Sequence, residues 1–118
     1  MPPHTKSRIL IVDDHPLIRE GLASQLGLRL DMEVCGEADS VHEALVQVKA
    51  TSPDLVIVDI ALVGSHGLDL IREIATRFPG IKMLVMSAYD ESLYAERCLR
   101  AGAHGHADGG SQCRYPAR

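Results

Sequence analysis

Two apolar runs in this chain end in acids. Ile9-Leu10-Ile11-Val12 runs into Asp13 and Asp14, and Leu55-Val56-Ile57-Val58 runs into Asp59. A third apolar run, Ile81 to Met86, ends at the hydroxyl of Ser87. Adjacent carboxylates repel one another and demand water or a cation. If the three acids meet, they cannot all stay ionised without a counter-charge. An oxygen donor set without cysteine favours a hard cation such as Mg²⁺. Held by few carboxylates, Mg²⁺ keeps positions for water and phosphate oxygens. A carboxylate beside it can attack phosphorus to give an aspartyl phosphate, and a hydroxyl such as Ser87 can donate to a phosphoryl oxygen.

That chemistry requires elements that bring the acids together. Arg8 to Asp13 reads as a continuous apolar strand, the pattern of a strand buried on both faces. Pro16 suits the first position of a helix, along which Leu17, Ile18, Gly21, Leu22, Gln25 and Leu26 recur at helical spacing. A weaker strand follows around Glu33 to Ala38. Ser40 and Glu43 then form a capping box for a helix striped by Val41, Ala44, Leu45 and Val48. Pro53 blocks that helix, and Leu55 to Asp59 is a second buried strand. Ile71, Ile74, Ala75 and Phe78 line a helix stopped by Pro79-Gly80, and Asp90 is a candidate cap for one running through Leu93, Cys98 and Leu99.

Strand and helix therefore alternate, which implies one parallel sheet with right-handed crossovers. Ligands of such α/β folds bind at the carboxyl ends of the strands, where strand order reverses. Asp13, Asp14, Asp59 and Ser87 all stand at those ends. Convergence of the three carboxylates in one crevice is the central expectation. His15 reads more simply as a helix-entry residue than as a ligand.

Composition narrows the function classes. The 118 residues suit one domain, 46% hydrophobic and 24% charged, with a net charge of −4. That charge, one Phe, three Tyr and no Trp argue against this chain itself gripping nucleic acid. No apolar run approaches the roughly 20 residues of a membrane span, and the N-terminus lacks the apolar stretch of a secretory signal. Three widely spaced cysteines, Cys35, Cys98 and Cys113, do not form a disulfide framework, so a reducing cytoplasm is expected. His104, His106, Asp108 and Cys113 have the types of a transition-metal site, but on glycine-rich spacing a chance cluster is the simpler reading.

Taken together, ILIVDDHPLIREGL, LVIVDI followed by a glycine-bounded loop, LVMSA and AGAHG resemble the receiver domain of bacterial two-component response regulators, in the NarL/FixJ (LuxR-type) branch. The likeness covers roughly residues 7 to 107. It implies a flavodoxin-like, doubly wound α/β fold with strand order 2-1-3-4-5, over a receiver domain at 8–110 between a flexible stretch at 1–7 and an irregular tail at 111–118. It also implies Asp59 as the phosphoacceptor from a histidine kinase. Asp14 and Asp59 would ligate Mg²⁺ directly, Asp13 through water, and the Ala61 backbone carbonyl would complete the protein ligands. Ser87 would contact the phosphoryl group.

The sequence departs from the family at three places. The loop after Asp59 reads Leu62-Val63-Gly64-Ser65-His66-Gly67, without the family's proline and second acid. His106 stands at the aromatic switch position, and Gly109 where the family carries a lysine. SQCRYPAR stands where a fifth amphipathic helix is expected, a loss of pattern that a shifted reading frame would also produce. A missing fifth helix would leave one sheet face bare, so a homodimer or swapped oligomer is expected. A C-terminal helix-turn-helix output domain, common in the branch, is not within this chain. The leading reading is thus an Mg²⁺-dependent phosphoacceptor rather than an enzyme. The alternative is a degenerate receiver acting through protein contacts alone, and a metal-dependent phosphatase is disfavoured because no D-x-D follows Asp59.

Overall fold

The computed structural model describes residues 6–59, 67–86, 105–107 and 113–114. Strand β1 (Ser7–Val12) lies at the centre of the packing. Its four aliphatic residues alternate between two cores. Leu10 and Val12 enter one with Val56, Val58, Met83 and Val85, while Ile9 and Ile11 enter the other with Ile57. Both faces being covered explains the unbroken apolar run. Each of these side chains contributes roughly 1.5–3 kcal/mol of burial.

Strands β2 (Met32–Ala38) and β3 (Leu55–Asp59) pair parallel with β1 on either side, and β4 (Lys82–Met86) pairs parallel with β3. Beyond β4 come β5 (Gly105–Ala107), parallel, and β6 (Cys113–Arg114), antiparallel. The sheet order is β2-β1-β3-β4-β5-β6, the expected 2-1-3-4-5 extended by a two-residue ladder that no sequence pattern announces. Strand bounds shift by a residue or so: β1 ends at Val12, leaving Asp13 just past the strand, and β4 begins at Lys82.

Helices α2 (Val41–Thr51) and α3 (Gly67–Arg77) cover one face through Ala44, Val48, Leu70, Ile71 and Ile74. The Ser40 hydroxyl accepts the Glu43 backbone N–H at 3.1 Å, as the capping box requires, while the Glu43 carboxylate accepts from Gln47. Helix α1 (Pro16–Gly27) covers the other face, but only through Leu22, Ala23 and Leu26. Leu17 is 83% exposed and Ile18 is 43% exposed, so the first turn of the expected apolar stripe faces water. Cys35 sits at a bulge: Ile9 pairs with Val34 but Leu10 with Gly36, and the thiol contacts the Thr51 hydroxyl at 3.5 Å. A Cβ at Gly36 would lie 2.7 Å from Gln47 Oε1 and 3.2 Å from Leu10 Cδ1, so any larger residue there must displace both side chains.

At the amino end of the sheet Asp54 ties three strands. Its N–H donates to the Arg8 carbonyl, its carboxylate accepts the Arg8 N–H, and its carbonyl accepts the Lys82 N–H. The opposite, carboxyl end is left to the acids. The expected fourth helix (90–102), the loop after Asp59 and the expected fifth-helix stretch lie outside the described residues.

Candidate functional site

The chain leaves β1 for β2 on one side and returns to β3 on the other, so strand order reverses between β1 and β3. Val12 is in register with Val58, which puts Asp13 and Asp59 side by side where both strands end. Asp13 is 2% exposed and Asp59 is 7% exposed, the two buried charged residues among those described. Asp14 lies beside them, half exposed.

The backbone around Asp13 is clamped. Its N–H donates to the Ala38 carbonyl at 2.9 Å, and its carbonyl accepts from Arg19 Nη1 at 2.8 Å. Arg19 is held in turn by its ion pair with Glu37 at 2.9 Å. Asp13 Oδ1 accepts the His15 backbone N–H at 2.8 Å, a turn that starts α1 with Pro16 at its first position.

That turn delivers the His15 ring into the acids. Its Nδ1 lies 2.9 Å from Asp13 Oδ1, 3.0 Å from Asp14 Oδ1 and 3.4 Å from Asp59 Oδ2. One donor atom from each of the four residues fits within a 4.8 Å span. The hydrogen bond to Asp13, and then the charge of Asp14, raise the His15 pKa above its ordinary 6.5, with smaller electrostatic help from Asp13 and Asp59 against partial desolvation.

The three carboxylates named from the sequence therefore meet. His15, read there as a helix-entry residue, meets them too; its position two residues after Asp13 in a turn fixed by Pro16 is the signal that could have found it. Met86 is in register with Asp59, and Ser87 follows it in sequence. The Ser87 side chain, the Ala61 carbonyl and Gly109 lie outside the described residues. The His106 backbone pairs with Val85 in β5.

The donor set fits a hard divalent cation. Three carboxylates, two of them buried, concentrate negative charge at one strand-end crevice and offer oxygen atoms spaced for a single ion. No helix among the described residues is long and apolar enough to cross a membrane.

Comparisons with known proteins agree with this architecture. The activator DevR/DosR of Mycobacterium tuberculosis, described as a DNA-binding transcriptional activator, is 34% identical over 84% of this chain and 46% of its own length. The transcriptional activator protein ExaE of Pseudomonas putida is 44% identical over 82% of the chain and 45% of its own length. The chain thus spans about half the length of these curated relatives. A crystal structure of a LuxR-family two-component response regulator from Aurantimonas sp. SI85-9A1 superposes with a TM-score of 0.83 at 31% identity, covering 92% of this chain and 77% of that one. The response regulator receiver domain model matches residues 9–107, and the chain belongs to that family.

Proposed function

We propose that this chain is a phosphoacceptor switch in which Asp59 takes a phosphoryl group from a histidine kinase in the presence of Mg²⁺. The observation that carries the reading is the meeting of Asp13, Asp14 and Asp59 within 4.8 Å at the point where strand order reverses. Asp14 and Asp59 would hold the ion directly, Asp13 through water, with the Ala61 carbonyl as a further ligand. When bound, Mg²⁺ supplies charge neutralisation for the transferring phosphoryl group.

The residues divide the remaining work. Asp59 presents a carboxylate oxygen to phosphorus; a C–O–P acyl phosphate forms as the P–N bond of the kinase phosphohistidine breaks. Burial at 7% exposure shields Asp59 from bulk water and strengthens every charge interaction around it. Arg19, through the Asp13 carbonyl, fixes the backbone that carries the first two acids. Ser87 donates its hydroxyl to a phosphoryl oxygen and moves toward it on activation, shifting a two-state equilibrium. The longer relatives are named as transcriptional activators, and coupling of this shift to a transcriptional output is proposed here as well.

A second reading, a degenerate receiver acting through protein contacts alone, draws on His106 and Gly109 standing where the family has its aromatic and lysine residues. Incubation with acetyl phosphate and Mg²⁺, read by intact mass, separates the two. The first expects one added phosphoryl group on the wild type and none on Asp59→Ala. No gain on the wild type rejects the first in favour of the second, and a gain that survives the substitution rejects Asp59 as the acceptor.

A further inference from the structure

We propose that Arg19 and Glu37, both outside the acidic cluster, form a positioning relay that sets the Mg²⁺ affinity of the pocket. The proposal rests on the reading of Asp13, Asp14 and Asp59 as a divalent-cation site.

Strand β2 supplies the reference frame. The Asp13 N–H donates to the Ala38 carbonyl at 2.9 Å, one rung beyond the Val12–Ala38 pair. There β2 ends and the chain turns into α2 at Ser40, so the next ladder position is open to a side chain. Arg19 takes it: Nη1 donates to the Asp13 carbonyl at 2.8 Å, while Nε donates to Glu37 Oε1, on β2, at 2.9 Å. The Arg19 backbone N–H donates to the His15 carbonyl at 3.0 Å, so this residue grips the 13–15 turn at both ends. Both backbone polar groups of Asp13 are thus tied to β2, one directly and one through the guanidinium.

What the relay fixes is the peptide plane between Asp13 and Asp14. The Asp13 carbonyl and the Asp14 N–H lie in that one plane, so a held oxygen sets the direction in which Asp14 leaves β1. Asp14 is 49% exposed on its side chain, and packing does little to place its carboxylate. Groups that orient a metal ligand without touching the metal commonly change affinity by about 10–100-fold. A guanidinium suits the task because its planar fork holds two oxygens in a fixed relation, which an ammonium cannot. Arg19, Glu37, Ala38, Asp39 and Glu43 line an open crevice of about 330 Å³, so loss of the guanidinium admits water there and leaves both cores intact.

The test is calorimetric titration of the chain with Mg²⁺, with circular dichroism as the check on folding. Arg19→Met keeps the aliphatic stem and removes the fork; its Mg²⁺ affinity should fall about tenfold or more. The sign is diagnostic, because removing a nearby positive charge by itself tightens cation binding and a purely structural role leaves affinity unchanged. Arg19→Lys should recover part of the loss. Glu37→Ala should weaken binding on its own but not further in the Arg19→Met background, since the two residues act as one unit. Unchanged or tightened binding in Arg19→Met, or an undiminished effect of Glu37→Ala in that background, overturns the proposal. Should Arg19→Met fail to fold, wild-type affinity in Arg19→Lys overturns it instead. Mg²⁺ binding that Asp14→Ala abolishes and Arg19→Met leaves intact sinks the relay alone. A wild type that binds no Mg²⁺ sinks the cation site and the relay together.

Discussion

Replacing Asp59 by asparagine should stabilise the metal-free protein and abolish its response to Mg²⁺. Asp13 and Asp59 are both buried, and their oxygens lie within the 4.8 Å span of the pocket. Two unit charges at that distance repel by about 3.5 kcal/mol at an effective dielectric constant of 20. Asp14 is 49% exposed on its side chain, and solvent screening cuts its contribution to below about 1 kcal/mol. The His15 contact at 3.4 Å offsets part of the repulsion, and Asn forfeits it. The net gain expected is about 1–2 kcal/mol, which for a domain of this size raises the melting temperature by roughly 4–8 °C. Wild type should gain about 1.4 kcal/mol from Mg²⁺ at tenfold its dissociation constant, and Asp59→Asn almost nothing. Thermal unfolding by circular dichroism, in chelator and in Mg²⁺, measures all four values. A metal-free variant less stable than wild type would refute the claim that the acids are held together against their own repulsion. So would equal stabilisation of both proteins by Mg²⁺.

Other outcomes follow from the same geometry. The raised His15 pKa makes this group stabilise the metal-free fold fully below 6.5, and the stabilisation fades as pH rises through the folded value; NMR titration of the ring should show that elevated midpoint, and saturating Mg²⁺ should lower it. Leu10→Ala, at a position with 0% exposure between β1 and the α2–α3 layer, should cost about 2–5 kcal/mol in urea unfolding. Gly36→Ala should cost about 1–3 kcal/mol, because the new methyl meets Leu10 Cδ1 at 3.2 Å even after Gln47 swings away. Ser40→Ala should cost about 1 kcal/mol through loss of the α2 cap, measurable by the same unfolding curves.

Much of the fold was legible because its strands are buried on both faces. Ile9 to Val12 and Leu55 to Val58 had to be sandwiched between helices, and parallel pairing then carried Asp13 and Asp59 to the same end. The stripe of α2 was equally readable, since Val41, Ala44, Leu45 and Val48 all pack on one core. Helix α1 was read less well. Its periodicity promised Leu17 and Ile18 to the core, but both are exposed and the helix packs on the sheet through Leu22, Ala23 and Leu26 instead. The bulge at Cys35 and the ladder at Cys113–Arg114 are register events, and hydropathy does not encode register at a single residue. His15 was missed for a related reason: its type and its place before Pro16 suit helix entry, and only the turn onto Asp13 shows which way the ring is aimed.

The central claim is that the acids at the ends of β1 and β3 act as one Mg²⁺-dependent unit on behalf of Asp59. Phosphoryl incorporation from acetyl phosphate should be measured on wild type and on the double variant Asp13→Ala, Asp14→Ala, each with Mg²⁺ and with chelator. Incorporation confined to wild type with Mg²⁺, while the double variant keeps its circular dichroism spectrum, is the result predicted. Equal incorporation with and without Mg²⁺, or undiminished incorporation in the folded double variant, would contradict it.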